Sequence, residues 1–126
     1  MLIPVSVGEV IDKITILEIK QQRITEPAKL ANVCAELAEL KTVLSSHPLA
    51  FDGLSALTAD LLHINTVLWN IEDDIRECER QKNFGSGFVD LARSVYRSND
   101  ERSRIKRKIN EMTGSAIVEE KAYNDY

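Results

Sequence analysis

A polar break in the last predicted helix carries the residue types best suited to chemistry. The segment from Val95 to Asn110 has helical apolar spacing at both ends, but its central positions are Ser98, Asn99 and Arg102. A guanidinium can hold a phosphate or a carboxylate through two parallel hydrogen bonds, and a neighbouring asparagine can orient that group. The break therefore predicts a polar site at the centre of the fold.

The preceding helix carries a polar stripe that an antiparallel hairpin would bring opposite the break. Counting inward from the turn at 82–87 places Arg102 level with Asn65, and Asn99 level with Trp69. Because the two helices would run side by side, Asn65 and Trp69 are candidate members of the same site.

Further side chains within about one turn of the break extend this candidate site. Glu72 and Asp73 offer the carboxylate oxygens that a divalent cation prefers. Tyr96, together with Trp69, can stack on a sugar or an aromatic ring. One hypothesis is therefore a metal-dependent enzyme or binder, with Mg²⁺ as its cofactor, that acts on a nucleotide or nucleotide-sugar between the third and fourth helices.

The same residues also fit a structural polar layer, which fixes helix register at some cost in stability. An unpaired buried charge costs several kcal/mol, so Arg102 needs an acidic partner. Glu18 interrupts an apolar stripe of the first helix and is the expected partner. Both hypotheses stay open, because structural ion-pair networks resemble functional sites in sequence.

An all-α fold is needed to position these residues. The motif Ser6-Val7-Gly8-Glu9 predicts a capping box, and Pro27 suits a first helical turn. The predicted helices cover about 7–23, 27–45, 52–81 and 88–113, with a short tail at 115–126. Short connections favour antiparallel neighbours, so we expect a single domain: an antiparallel bundle of about four helices with a long, coiled-coil-like hairpin.

Long apolar stripes on these helices predict a homodimer, because one short chain cannot cover them all. Ile117 and Val118 of the tail are expected to dock on the bundle. A basic cluster near the end of the fourth helix is expected only to complement the helix dipole; it consists of Arg104, Lys106, Arg107 and Lys108.

Composition narrows the function classes. The net charge of −4 disfavours nucleic-acid binding through a basic surface. No apolar run approaches the roughly 18–20 residues that span a bilayer, and no signal peptide is visible, so we expect a cytoplasmic protein. Cys34 and Cys78 lie far apart on apolar stripes and are expected to be buried thiols, neither paired nor bound to metal.

Four stretches carry a resemblance to a known family. They are IPVSVGEVIDKITILEIK, LWNIEDDIRECE, FVDLARSVYRSNDERSRIKRKIN and SAIVEEKAY. The chain resembles, over nearly its whole length, a family of small bacterial proteins of unknown function. Members of that family are sometimes encoded among genes for cell-surface polysaccharides or glycosyltransferases. The resemblance implies no catalytic residue.

Two other likenesses are partial. All-helical nucleotide pyrophosphatases of the MazG-like class bind magnesium through E-x-x-E and E-x-x-D. Glu36 and Glu39 match the first motif, but Glu72 is followed three residues later by Ile75. The first helix is also similar to that of helical chorismate mutases, although Thr15 replaces an expected acidic residue.

The leading expectation is a non-enzymatic helical interaction or accessory protein. It rests on strong heptad patterning without a competent catalytic constellation. The nucleotide or nucleotide-sugar hypothesis is the alternative, and it requires Glu72, Asp73, Asn99 and Arg102 to converge on one pocket.

Overall fold

Four α-helices and no strand make up the structure, a computed structural model that describes residues 1–126. The helices are α1 (Val7–Arg23), α2 (Pro27–Ser45), α3 (Leu54–Gln81) and α4 (Ser86–Thr113). The all-α helical bundle predicted from the sequence is confirmed. No helix combines the length and the apolar character that crossing a membrane requires.

Local backbone features set the helix ends. The Ser6 hydroxyl accepts a hydrogen bond from the Glu9 amide at 3.2 Å, which forms half of the expected capping box. Gly53 has a φ of 89°, a left-handed conformation that favours glycine, and it delays the start of α3 to Leu54. α4 begins at Ser86, two residues earlier than the sequence pattern indicated.

The central element is α1, which contacts each of the other three helices, whereas α2 packs along α1 alone. Two apolar clusters surround α1. One joins Ile11 to α3 and α4, and the other joins Ile14 and Leu17 to α2. Their buried members are Ile11, Leu61, Ile105 and Ile109 in the first, and Ile14, Leu17, Val33 and Leu37 in the second. Ile19, on the other side of α1, is also buried, as expected for a helix that is apolar on two sides.

The antiparallel hairpin of α3 and α4 is longer than the core that packs on it. Near the end of α1, the Arg23 guanidinium donates to the Asn70 amide oxygen at 3.1 Å. Ile71 is the last buried residue of α3, and no residue between 72 and 104 is buried. We call residues 72–95 the distal arm. Its seam is only half-buried and consists of Ile75, Cys78, Phe88, Leu91 and Val95.

Candidate functional site

A buried carboxylate lies where three helices meet. Asp12 of α1 is fully buried, and Arg102 of α4 grips both of its oxygens, with Nε donating to Oδ1 at 2.9 Å and Nη2 donating to Oδ2. Asn65 of α3 donates from Nδ2 to the same Oδ1 at 2.8 Å and to the Thr15 hydroxyl at 2.9 Å. We call these four residues the Asp12 cluster.

The helical pattern explains why these residues meet. Arg102 interrupts the apolar seam of α4, Asn65 lies on the polar stripe of α3, and the hairpin brings the two residues level, as the sequence predicted. Asp12 and Thr15 lie three residues apart on one face of α1, and the Thr15 hydroxyl donates to the Asp12 carbonyl at 2.8 Å. The hydrogen bond to Asp12 raises the pKa of Arg102 above its usual value, so the guanidinium is charged at neutral pH.

A second ion cluster lies one turn further along α4. The Lys106 side chain is only 9% exposed, and its ammonium donates to Glu9 Oε2 and to Glu119 Oε2, each at 2.8 Å. Burial by itself would lower the pKa of Lys106, but the hydrogen bonds and charges of Glu119 and Glu9 outweigh burial and raise the pKa. Lys106 therefore links α1, α4 and the C-terminal tail.

A third contact between α1 and α4 brings the backbones of these two helices close together. The Gly8 amide donates to the Asn110 side-chain oxygen at 2.7 Å. A Cβ on Gly8 would lie 2.7 Å from the Lys106 carbonyl oxygen and 2.8 Å from Asn110 Oδ1, so no larger residue fits without a shift. Arg102, Lys106 and Asn110, spaced four residues apart, thus form one polar face of α4 against α1.

Two expectations about charged partners are wrong. Glu18 does not pair with Arg102; its carboxylate lies 3.5 Å from the Lys41 ammonium. Glu18 lies six residues after Asp12, which places it about 120° away around the axis of α1, and it therefore reaches α2 instead of α4. Lys106 was expected only to complement the helix dipole, but its buried ammonium pairs with the carboxylates of Glu9 and Glu119.

The tail also departs from expectation. Ile117 and Val118 remain 40% exposed and do not provide the docking contact. Charged and aromatic side chains of the tail fasten it to α4 instead. The Tyr126 hydroxyl donates to Asp100 Oδ2 at 2.6 Å, and the Tyr126 ring lies edge-on to Tyr96, with centroids 5.1 Å apart.

The remaining predicted site residues do not join the Asp12 cluster. Glu72 is exposed and pairs with Arg76 on its own helix. Asp73 and Tyr96 are exposed, whereas Trp69 and Asn99 are half-buried and make no side-chain hydrogen bond. The polar site therefore lies between α1 and α4, with Asn65 of α3 behind it, and not between α3 and α4.

Two chemical properties follow from this geometry. No group of three His, Cys, Asp or Glu side chains is arranged to hold a metal ion. Every buried side-chain nitrogen or oxygen has a hydrogen-bond partner within the protein. Asp12 in particular is fully buried, with both oxygens engaged by Arg102 and Asn65, so it is not free to remove a proton from a substrate.

Comparison with known proteins identifies the family. A family of unknown function, DUF6165, matches residues 1–126, and the chain belongs to this family. No curated protein and no solved structure matches the chain.

Proposed function

We propose that this protein is a non-enzymatic helical interaction module that acts as a homodimer through its distal arm. The observation that carries the proposal is the contrast within the hairpin. Its basal half packs against α1, whereas residues 72–95 contain no buried residue, although their seam is apolar. Two helices alone do not enclose a dry core, so this surface favours a partner.

A second copy suits the arm geometrically. Two hairpins packed face to face form a four-helix bundle, in which each half-buried seam gains the cover that it lacks alone. Phe84 and Val89 at the end of the arm are each 49% exposed, and the Phe84 ring lies edge-on to Phe88 at 5.3 Å between centroids. Exposed aromatic and apolar residues of this kind are frequent in the centres of protein interfaces.

The polar cluster supports a binding protein over the metal-dependent alternative. Asp12 is saturated by Arg102 and Asn65, and Glu72 and Asp73 lie on the exposed side of α3. A Mg²⁺-dependent reaction on a nucleotide or nucleotide-sugar needs converging carboxylates and a phosphate-binding group in one place. We therefore give the Asp12 cluster the role of fixing α1 against the hairpin.

The cellular setting is part of the proposal. We propose an accessory role in a cytoplasmic bacterial pathway, with surface polysaccharide synthesis as the first process to test. The free, half-buried thiols of Cys34 and Cys78 support a reducing compartment. The link to polysaccharide synthesis rests only on the resemblance to bacterial proteins encoded near glycosyltransferase genes.

Sedimentation velocity over a range of protein concentrations tests the dimer. We expect the wild type to sediment as a dimer and Val89→Glu to sediment as a monomer with unchanged helical content, because Val89 is 49% exposed. Val43→Glu is the matched control, since Val43 is 46% exposed on α2, outside the arm, and it should remain dimeric. A wild type that stays monomeric, captures no protein from its native cell and turns over a small molecule would overturn the proposed function.

A further inference from the structure

We propose that a cavity beside the Asp12 cluster binds a small organic anion that also carries hydroxyl groups, such as a polyol phosphate or a polyhydroxy carboxylate. The cavity has a volume of about 270 Å³ and lies between α1, α2 and the Arg102 side chain. Its polar lining consists of Glu9, Asp12, Lys13, Lys20, Glu36 and Arg102. This site is separate from the distal arm, so the inference does not depend on dimer formation.

Arg102 is the anchor for the anion. Its Nε and Nη2 donate to Asp12, whereas Nη1 has no acceptor within the protein, and the side chain is 28% exposed. Asp12 is fully buried and is itself fixed by Asn65. The guanidinium is therefore held in one orientation with spare N–H donors, which lowers the entropy cost of binding an anion.

Two lysines add positive charge to the rim. Lys20 is half-buried, lines the cavity and makes no ion pair. The Lys13 ammonium lies 3.7 Å from Glu36, and both side chains are half exposed, so this pair is weak and can rearrange. The charge of Arg102 is balanced by Asp12, whereas the charge of Lys20 is not balanced by a protein group and is available to an anionic ligand.

Carboxylates opposite these cations suit hydroxyl donors. Glu9 uses Oε2 to accept from Lys106, and its Oε1 accepts from no protein group. Lys106 fixes Glu9 from behind, as Asp12 fixes Arg102. An ionised carboxylate oxygen can accept a hydrogen bond but cannot donate one, so its partner in a ligand must be a donor such as a hydroxyl group.

The size of the cavity limits the ligand. A volume of about 270 Å³ is just below the range of roughly 300–1,000 Å³ that accommodates drug-sized ligands. Ile16 and Leu17 give the cavity an apolar wall that can contact the carbon face of a polyol. These features favour a compact polyol-sized anion over a nucleotide, whose base would find no room.

Isothermal titration calorimetry with four probes tests the inference: sorbitol 6-phosphate, gluconate, sorbitol and inorganic phosphate. We expect at least one of the two hydroxylated anions to bind the wild type. Sorbitol, which lacks the acid group, and inorganic phosphate, which lacks the polyol chain, should each bind at least about tenfold more weakly. The stronger hydroxylated anion identifies which acid group the site prefers.

Matched variants locate the binding. Lys20→Ala should weaken the bound anion about tenfold without loss of fold, because Lys20 makes no ion pair. Lys29→Ala is the control, since Lys29 is an exposed lysine of α2 that does not line the cavity, and its affinity should equal that of the wild type. The inference is overturned if neither anion binds at concentrations on the order of 10 mM, if inorganic phosphate binds equally well, or if the two variants bind alike.

Discussion

Removing the two partners of the buried ion pair should have unequal effects. Arg102→Met leaves the Asp12 carboxylate fully buried with Asn65 as its remaining side-chain donor. Breaking a buried pair in this way costs about 3–5 kcal/mol, because it leaves a buried carboxylate without its cation. Asp12→Asn instead leaves a guanidinium that is already 28% exposed and can be hydrated, so we expect a cost of only about 1–2 kcal/mol.

Urea and thermal denaturation measure this asymmetry. For a domain of this length, 1 kcal/mol corresponds to about 4 °C in the midpoint, so Arg102→Met should lower the midpoint by about 12–20 °C and Asp12→Asn by about 4–8 °C. The double variant should lose less than the sum of the single losses, by about 1–3 kcal/mol, since the residues are in contact. Arg104→Met, which removes an arginine that is 62% exposed, should cost at most about 0.5 kcal/mol.

The order of the effects is the decisive result. If Asp12→Asn destabilised the protein as much as Arg102→Met, or if neither cost more than Arg104→Met, the Asp12 cluster would not hold α1 against the hairpin. An additive double variant would refute the direct coupling of the two side chains.

Two further predictions concern the polar row of α4. Gly8→Ala should destabilise the protein by about 1–3 kcal/mol in urea denaturation, because the added methyl group would clash with the Lys106 carbonyl and with Asn110. Gly87→Ala is the control: a methyl group at Gly87 meets open space, so this variant should be neutral or stabilising by up to about 1 kcal/mol. Equal effects of the two variants would contradict the close approach of α1 and α4 at Gly8. The hydrogen bond from Lys106 lowers the pKa of Glu119 below its usual value in the folded state. The stabilisation that this hydrogen bond contributes is therefore fully present above the pKa of Glu119 in the unfolded chain. It is lost as the pH falls through the lower pKa that Glu119 has in the folded protein. Urea midpoints from neutral pH down to roughly pH 3 should fall less steeply for Glu119→Gln than for the wild type, and parallel curves would exclude this contribution.

Local patterns were sufficient to predict the helices and the hairpin register. Leu61 and Ile71 on α3 follow the predicted apolar spacing and are buried. Asn65 lies opposite Arg102 because the two residues are similar distances along the chain from the short turn that joins α3 to α4. These features depend on neighbouring segments of the chain, so periodicity and turn position determine them.

The partners of α4 could not be predicted in the same way. Asp12 and Glu18 are both acidic residues of α1, and only the rotation of α1 about its axis decides which one faces Arg102. The sequence indicated Glu18 because it interrupts the main apolar stripe, but Asp12 lies on the second apolar side of α1, beside buried Ile19. Glu119 was missed because a tail without periodicity gives no sign of where it lies.

The contacts that fix α1 have a consequence for the order of events during synthesis. The residues that bind the start of α1 come late in the chain: Arg102 is 90 residues after Asp12, and Asn110 is 102 residues after Gly8. α1 leaves the ribosome before the other three helices but is among the last to complete its contacts, while α3 and α4 can already pair through their short turn. Until α4 emerges, the apolar side of α1 that carries Ile11 lacks the cover of Ile105 and Ile109, and a nascent chain halted before α4 would expose it to chaperones and proteases.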